Sequence, residues 1–219
     1  MRPTSEVIVR GGDLRGLRAM CNVERCPAKF YMQYTGRRLV IAATAACVWD
    51  DLAALGMDHA DHTSWGFDVM AVNNLVEHLH WPVAHCYSND HHGLLKWVAA
   101  MRQDVKAYFP RGPLHTCTVG VDPINVWPWH GHGTSALGAV LTGIAMGYKE
   151  IILCGAPLDD TPHYFDEPWH RTNFSQEIRD GRANSGGLRY WENYIDRVFE
   201  GKVRSMSGRT RELLGGPDD

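Results

Sequence analysis

The chain has no CxxC pair, no HExxH helix, no GxxxxGK[ST] loop and no apolar run of membrane-spanning length, and its two signs of charge nearly cancel. Each absence removes a class of function. The 22 Lys and Arg against 25 Asp and Glu leave a formal charge of −3, too small for the overall field to draw the molecule to nucleic acid. A local basic cluster of Lys202, Arg204, Arg209 and Arg211 is confined to the C-terminus, where it reads as solvated surface. Six cysteines stand at 21, 26, 47, 86, 117 and 154. Three of them, Cys86, Cys117 and Cys154, fall inside expected strands, where a free thiol packs as a small hydrophobe. With no leader segment recognised, that usage suits a reducing cytoplasm. The longest apolar stretch, 136–146, is too short and too rich in glycine to cross a bilayer. The missing P-loop lysine excludes the usual nucleoside triphosphatases, and the missing HExxH removes the strongest metal-hydrolase signal.

What the chain does contain is an alternation of apolar strands and helices. LVIAAT (39–44) reads as a buried parallel strand and 45–56 as the helix after it, with Val48, Leu52 and Leu55 on one face. Further strands are expected at 67–72, 82–88, 114–119 and 150–154, with helices at 75–79, 94–108 and from Thr134 onward. Short strands at 6–10 and 30–34 are also expected. Such alternation specifies an α/β, Rossmann-like parallel sheet flanked by helices. Residues 157–188 are irregular and rich in Pro, Gly, His, Asp and Trp, and read as a lid over a binding site. A helix over 188–200 and a last strand over 202–207 complete one domain, 1–219, with its core at about 38–156.

The densest chemistry lies between Gly131 and Asp160. GHGTS is a glycine turn, Thr134 or Ser135 opens a helix of small residues, and the strand EIILC leads to the acids Asp159 and Asp160. Gly131 and Gly133 place backbone N–H groups where a phosphate can rest at a helix N-terminus, while Thr134 or Ser135 is equally an N-cap. The other strands also end in polar residues: Thr44, then Asn73 and Asn74, then Ser88, Asn89 and Asp90. Any one of them serves a turn or cap as readily as a ligand; several together favour a pocket. Asp159 and Asp160 are candidate ligands for Mg²⁺ bridging nucleotide phosphates. Twelve histidines are present. His163 and His170 fall in the expected lid and are candidate general bases, because imidazole titrates near neutrality. Trp127, Trp129 and Trp169 are either stacking platforms for a base or sugar, or core.

TSALGAVLTGIAMGYKEIILCGAPLDD resembles the second nucleotide-binding half of bacterial sialyltransferases that use CMP-sugars. It is also similar to the matching segments of motility-accessory-factor glycosyltransferases and 6-hydroxymethylpterin diphosphokinases. The turn, the small-residue helix, Met146 to Ile151 and Gly155 carry the likeness; LVIAATAACVWDDL, AVNN and PHYFD carry it more loosely over 38–166. The resemblance implies nucleotide contacts from Thr44, Asn73, Thr134, Ser135 and Gly155, with Asn73 near the reacting centre. It implies a CMP-sugar donor and a glycosyltransferase, with a Mg²⁺-dependent pyrophosphokinase or a non-catalytic nucleotide-binding protein as alternatives. In those families the first turn is usually GNGPS; here it is Ala-Thr-Ala-Ala. Pro157 displaces the acid that follows strand five. The expected partner is a small nucleotide ligand; the acceptor stays open, and a homo-oligomer is compatible with the chain. The tail GKVRSMSGRTRELLG resembles phage-encoded proteins.

Overall fold

A computed structural model describes residues 30, 32–57, 65–79, 81–100, 112–117, 124–127, 134–159, 161, 163–164 and 190–218. Its frame is one seven-stranded sheet. In chain order the strands are β1 (Arg38–Ala42), β2 (Asp68–Val72), β3 (His85–Tyr87), β4 (Leu114–Thr116), β5 (Asn125–Val126), β6 (Glu150–Cys154) and β7 (Val203–Ser205). All neighbours pair in parallel, in the spatial order β5-β4-β3-β2-β1-β6-β7. The helices are α1 (Val48–Ala54), α2 (His91–Ala100), α3 (Ser135–Ala145) and α4 (Gly208–Leu214), with a 3₁₀ segment at Asn73–Glu77 and a π-helical turn at Ile195–Phe199. This is the α/β, Rossmann-like architecture that the alternation specifies.

The central strands are apolar on both faces because each face meets a separate core. Val40, Ala42, Val69, Ala71, Ile152 and Cys154 pack with Val48, Leu52, Leu94 and Val98 of α1 and α2. Leu39, Ile41, Met70, Tyr87, Ile151 and Leu153 pack with α3 on the other face. Burial on both faces is why LVIAA reads as a continuous apolar run and not as an alternating one.

α3 lies close to the sheet because two of its glycines face it. A Cβ on Gly143 would stand 2.8 Å from Leu39 Cδ2, and one on Gly138 would stand 2.1 Å from the Tyr87 hydroxyl. Gly147, past the helix end at φ +92°, supplies instead the left-handed turn that ends the helix. Buried large side chains contribute about 1.5–3 kcal/mol each, and Tyr87, Leu39, Ile41 and Met70 are all essentially inaccessible.

Several expected boundaries move. Residues 32–36 form turns, not a strand, and bind the end of α3 through Met32 N–H to Ala145 O (3.0 Å) and Tyr34 N–H to Met146 O (2.9 Å). Cys117 falls just past β4. The two-residue β5 and the helix α4 were not expected; α4 buries Thr210 and Leu214, so the basic tail is partly integrated into the fold. The expected 6–10 strand and most of the 157–188 segment lie outside the described residues. Cys47, Cys86, Cys117 and Cys154 are free thiols. Among the described residues no helix is long and apolar enough to cross a membrane.

The chain runs from β1 outward to β5, then crosses back over α3 to place β6 on the other side of β1. The reversal makes the β1/β6 boundary a topological switch point. In open parallel sheets the loops at the C-terminal ends of the strands beside such a point form the binding crevice.

Candidate functional site

Three loops define the crevice: 43–47 after β1, 155–159 after β6 and 206–207 after β7. The β1/β6 ladder continues past the strands, through Ala43 N–H to Cys154 O (2.8 Å) and Ala45 N–H to Gly155 O (3.0 Å). Thr44 is buried, and its carbonyl accepts the Tyr164 N–H at 2.9 Å. Half-buried His163 forms an isolated antiparallel bridge with Ala45. The start of the expected lid therefore lies against the β1 loop. Tyr164 is flanked edge-on by Trp49 (5.9 Å between ring centroids) and His78 (5.0 Å). Burial holds its phenol well above the ordinary range, with the nearby Glu77 charge adding to the shift.

Gly155 sits at φ +67°, where a Cβ would fall 2.6 Å from Val48 Cβ. Its N–H is given to Asp51 Oδ2 at 2.8 Å. That backbone donor is thus used inside the protein. Asp159 accepts the Thr161 N–H at 2.9 Å through Oδ1. Asp160 lies outside the described residues, and among those described no group of three His, Cys, Asp or Glu could hold a metal ion.

A second group of polar residues lies at the ends of β2 and β3 and the start of α3. Asn73 follows β2 directly and adopts φ +55°, a left-handed conformation that asparagine tolerates better than most side chains. Its Oδ1 accepts the Ser88 hydroxyl at 2.8 Å; its NH₂ has no partner among the described residues. Ser88 Oγ also accepts the Asp90 N–H at 3.0 Å. The Asn89 N–H donates to Ser135 Oγ at 3.3 Å, and Asn89 Oδ1 accepts from the Tyr87 hydroxyl (3.2 Å) and from Cys117 Sγ (3.2 Å). Burial raises the Tyr87 phenol far above its ordinary range, so it stays a donor. Thr134 is the N-cap of α3, its Oγ1 accepting the Leu137 N–H at 3.2 Å. Asn74 is half-buried in the 3₁₀ segment beside Asn73.

The structure thus places two hydrogen-bonded groups side by side, Asn73 with Ser88 and Asn89 with Ser135, joined through the Ser88–Asn89 peptide, and places Thr44, Gly155, Asp159 and His163 on the loops of the neighbouring crevice. Thr134 adjoins Ser135 as a cap. Gly131, Gly133, Asp160 and His170 lie outside the described residues, as do Trp129 and Trp169. Trp127 is fully buried and belongs to the core. Sequence reasoning did not single out Asp51 or the structural use of Tyr87. The available signal for Asp51 was an acid three residues after Val48 and next to Leu52, on the apolar face of α1.

Gly138 links packing to this array. The Cβ of an alanine there would meet the Tyr87 hydroxyl at 2.1 Å and Cζ at 2.6 Å. Gly138→Ala should gain about 1 kcal/mol in helix propensity and lose about 1–3 kcal/mol to overpacking. The expected result is a lower urea midpoint and a displaced Asn89. The same substitution in a Tyr87→Phe background should cost less, because the closest clashing atom is gone. Equal costs in both backgrounds would show that the Tyr87 contact is not the cause.

The fold defines a Rossmann-like α/β protein with polar residues along the C-terminal edge of its sheet. No protein-family model and no curated protein matches the chain. Solved structures with the same fold include the sialyltransferase CstII from Campylobacter jejuni with cytidine-5'-monophosphate. That match has 11% identity, covers 83% of this chain and 85% of that one, and has a TM-score of 0.55. A variant of sialyltransferase Cst-II in complex with CMP matches at 14% identity, over 81% and 85% of the two chains, with a TM-score of 0.52.

Proposed function

We propose that this chain binds a cytidine nucleotide across the C-terminal edge of the sheet and transfers a sugar from a CMP-sugar donor. The array Asn73–Ser88 and Asn89–Ser135, adjoining the switch point, carries the reading. It offers the Asn73 NH₂ after β2 and the Ser135 hydroxyl at the start of α3 to one ligand, the kind of donors that a phosphorylated nucleoside takes. The CMP named for two structures of the same fold supports cytidine over other bases.

In the proposed reaction an acceptor hydroxyl oxygen attacks the anomeric carbon. The bond from that carbon to the phosphate oxygen breaks, and CMP leaves with the electron pair. Asn73 donates from its NH₂ to the donor phosphate, stabilising the charge that develops on the leaving group. His163, beside the β1 loop, takes the acceptor's proton, with His170 of the same segment as the other candidate. Thr44, Asn74, Thr134 and the Gly131–Gly133 turn complete the proposed contacts.

Calorimetry against CMP, UMP and GMP, followed by incubation with CMP-sugars and measurement of CMP release, tests this reading. Selective CMP binding with CMP release supports it. Binding without release in the presence of a broad acceptor panel would identify a nucleotide-binding protein instead. Binding lost on adding EDTA would favour phosphoryl transfer through Asp159 and Asp160. No affinity for cytidine nucleotides would overturn it.

A further inference from the structure

Asp51 is only 6% exposed, yet it belongs to α1 and not to any of the loops that line the crevice. Its Oδ2 accepts the Gly155 N–H at 2.8 Å and the Ser207 hydroxyl at 2.9 Å. Ser207 Oγ lies 3.4 Å from Cys47 Sγ. One carboxylate oxygen therefore holds the loops after β6 and β7 against the helix that follows β1. Those two loops are themselves fastened together. Thr210 Oγ1 donates to Ala156 O at 2.7 Å, Thr210 N–H reaches Pro157 O at 3.3 Å, and a Cβ on Gly208 would lie 2.3 Å from Pro157 Cβ. The two loops are thus joined to each other, and the Asp51 side chain ties both to α1.

We infer that Asp51 is the positioning residue of the switch-point crevice: it fixes the spacing between the 43–47 loop and the joined 155–159 and 206–210 loops, and through that spacing sets nucleotide affinity. Three observations support this. A buried acid with no structural task costs free energy, and this one is held in place by two directed donors. Gly155 cannot be replaced without a clash against Val48 and Ala43, so its N–H is presented to Asp51 in a fixed direction. The groups around the carboxyl are Cys47 and Asp50 on its own side, Cys154 on β6, and Asp159 beyond Cys47. None of these is a cation, and burial raises the Asp51 pKa. The tie is thus made by hydrogen-bond acceptance and not by ion pairing. An amide oxygen in the place of Oδ2 can accept both the Gly155 N–H and the Ser207 hydroxyl.

The nucleotide part of this inference rests on the function proposed in the preceding subsection, so the test reads the tie and the ligand separately. In Asp51→Ala, amide exchange at Gly155 should speed up about tenfold and CMP affinity should fall about tenfold, the scale of one lost buried hydrogen bond. Asp51→Asn should restore both. A role confined to general stability would lower the melting temperature of the alanine variant without an affinity change that asparagine rescues. Ser207→Ala removes only the hydroxyl donor and carries the test if Asp51→Ala does not fold. It should keep Gly155 protected while loosening 206–210. Unchanged Gly155 exchange in Asp51→Ala, or unchanged exchange over 206–210 in Ser207→Ala, overturns the tie. CMP binding equal to wild type in a folded Asp51→Ala overturns the positioning role. No CMP binding by the wild-type chain overturns the functional reading, and the nucleotide part of this inference with it, while the exchange result still decides the tie.

Discussion

Asn73→Gly should lower CMP release from a CMP-sugar by about 10²–10³, the usual loss when one preorganised donor to a developing charge is removed. Glycine is the informative replacement. Asn73 sits at φ +55°, and alanine there would add backbone strain of about 1–2 kcal/mol, mixing a stability effect into the kinetic one. Glycine holds that conformation at no steric cost and removes the carboxamide alone. Ser88 loses an acceptor in the variant, but it retains the Asp90 N–H, so the melting temperature should change by only a few degrees. Asn73→Asp separates the two ends of the amide. It keeps an acceptor for the Ser88 hydroxyl and replaces the NH₂ with a second negative oxygen facing the donor phosphate. Activity should fall in the aspartate variant as far as in glycine, or further. If Asn73→Gly turns over within twofold of wild type, Asn73 does not face the reacting centre.

The sheet was legible where a strand is buried on both faces. LVIAA and EIILC carry no polar residue between their first and last positions, and both are central strands with apolar packing on each side. The helix from Ser135 and the strand ending at Cys154 were legible for a second reason: helix, link and strand are contiguous in sequence. β5 was not, because two residues paired only to Thr116 and its neighbour leave no periodic signal. α4 was not, because its seven residues are stabilised by contacts with Ala156 and Pro157, some fifty positions away. The site divides along the same line. Asparagines directly after strands could be found, since strand ends are sequence features. Asp51 could not be assigned a role, since its partners Gly155 and Ser207 are 104 and 156 residues distant. Gly155, a candidate ligand contact by its place after β6, spends its N–H on that distant partner.

His85 and His115 illustrate the same limit more sharply. Both are fully buried in strands, and the chemistry of their neighbours fixes the direction of every bond between them. The Trp127 indole N–H, which can only donate, reaches His115 Nδ1 at 3.0 Å. His115 must then carry its proton on Nε2, which lies 3.2 Å from His85 Nδ1. His85 in turn donates from Nε2 to the Tyr148 hydroxyl at 3.0 Å, and Tyr148 donates to Asp68 Oδ2 at 2.7 Å. Arg37 ion-pairs with that carboxylate. Asp68 and His85 are the first residues of β2 and β3, and Arg37 precedes β1. The relay therefore ends at the N-terminal edge of the sheet, opposite the crevice. Its physics is that of a buried network that must stay fully satisfied.

His85→Ala should cost about 3–5 kcal/mol, combining a cavity with orphaned groups on His115 and Tyr148. In a chain of this size that lowers the melting temperature by roughly 6–20 °C. His85→Gln keeps one acceptor and one donor and should recover much of the loss. The pH dependence gives a second reading. Burial, with a smaller contribution from the Arg37 charge, lowers the His85 pKa to about 3 from the ordinary 6.5. Because the folded value is depressed, the stability tied to neutral His85 is fully present above pH 6.5. It is lost as pH falls toward 3, at about 1.4 kcal/mol per unit. Urea midpoints of wild type should therefore drop across that window more steeply than those of His85→Gln, whose amide does not titrate. Equal slopes would mean that His85 is not held neutral by the fold. At temperatures where both proteins are folded, His85→Gln should bind CMP as wild type does, because the relay stabilises one edge of the sheet while the proposed site lies at the other.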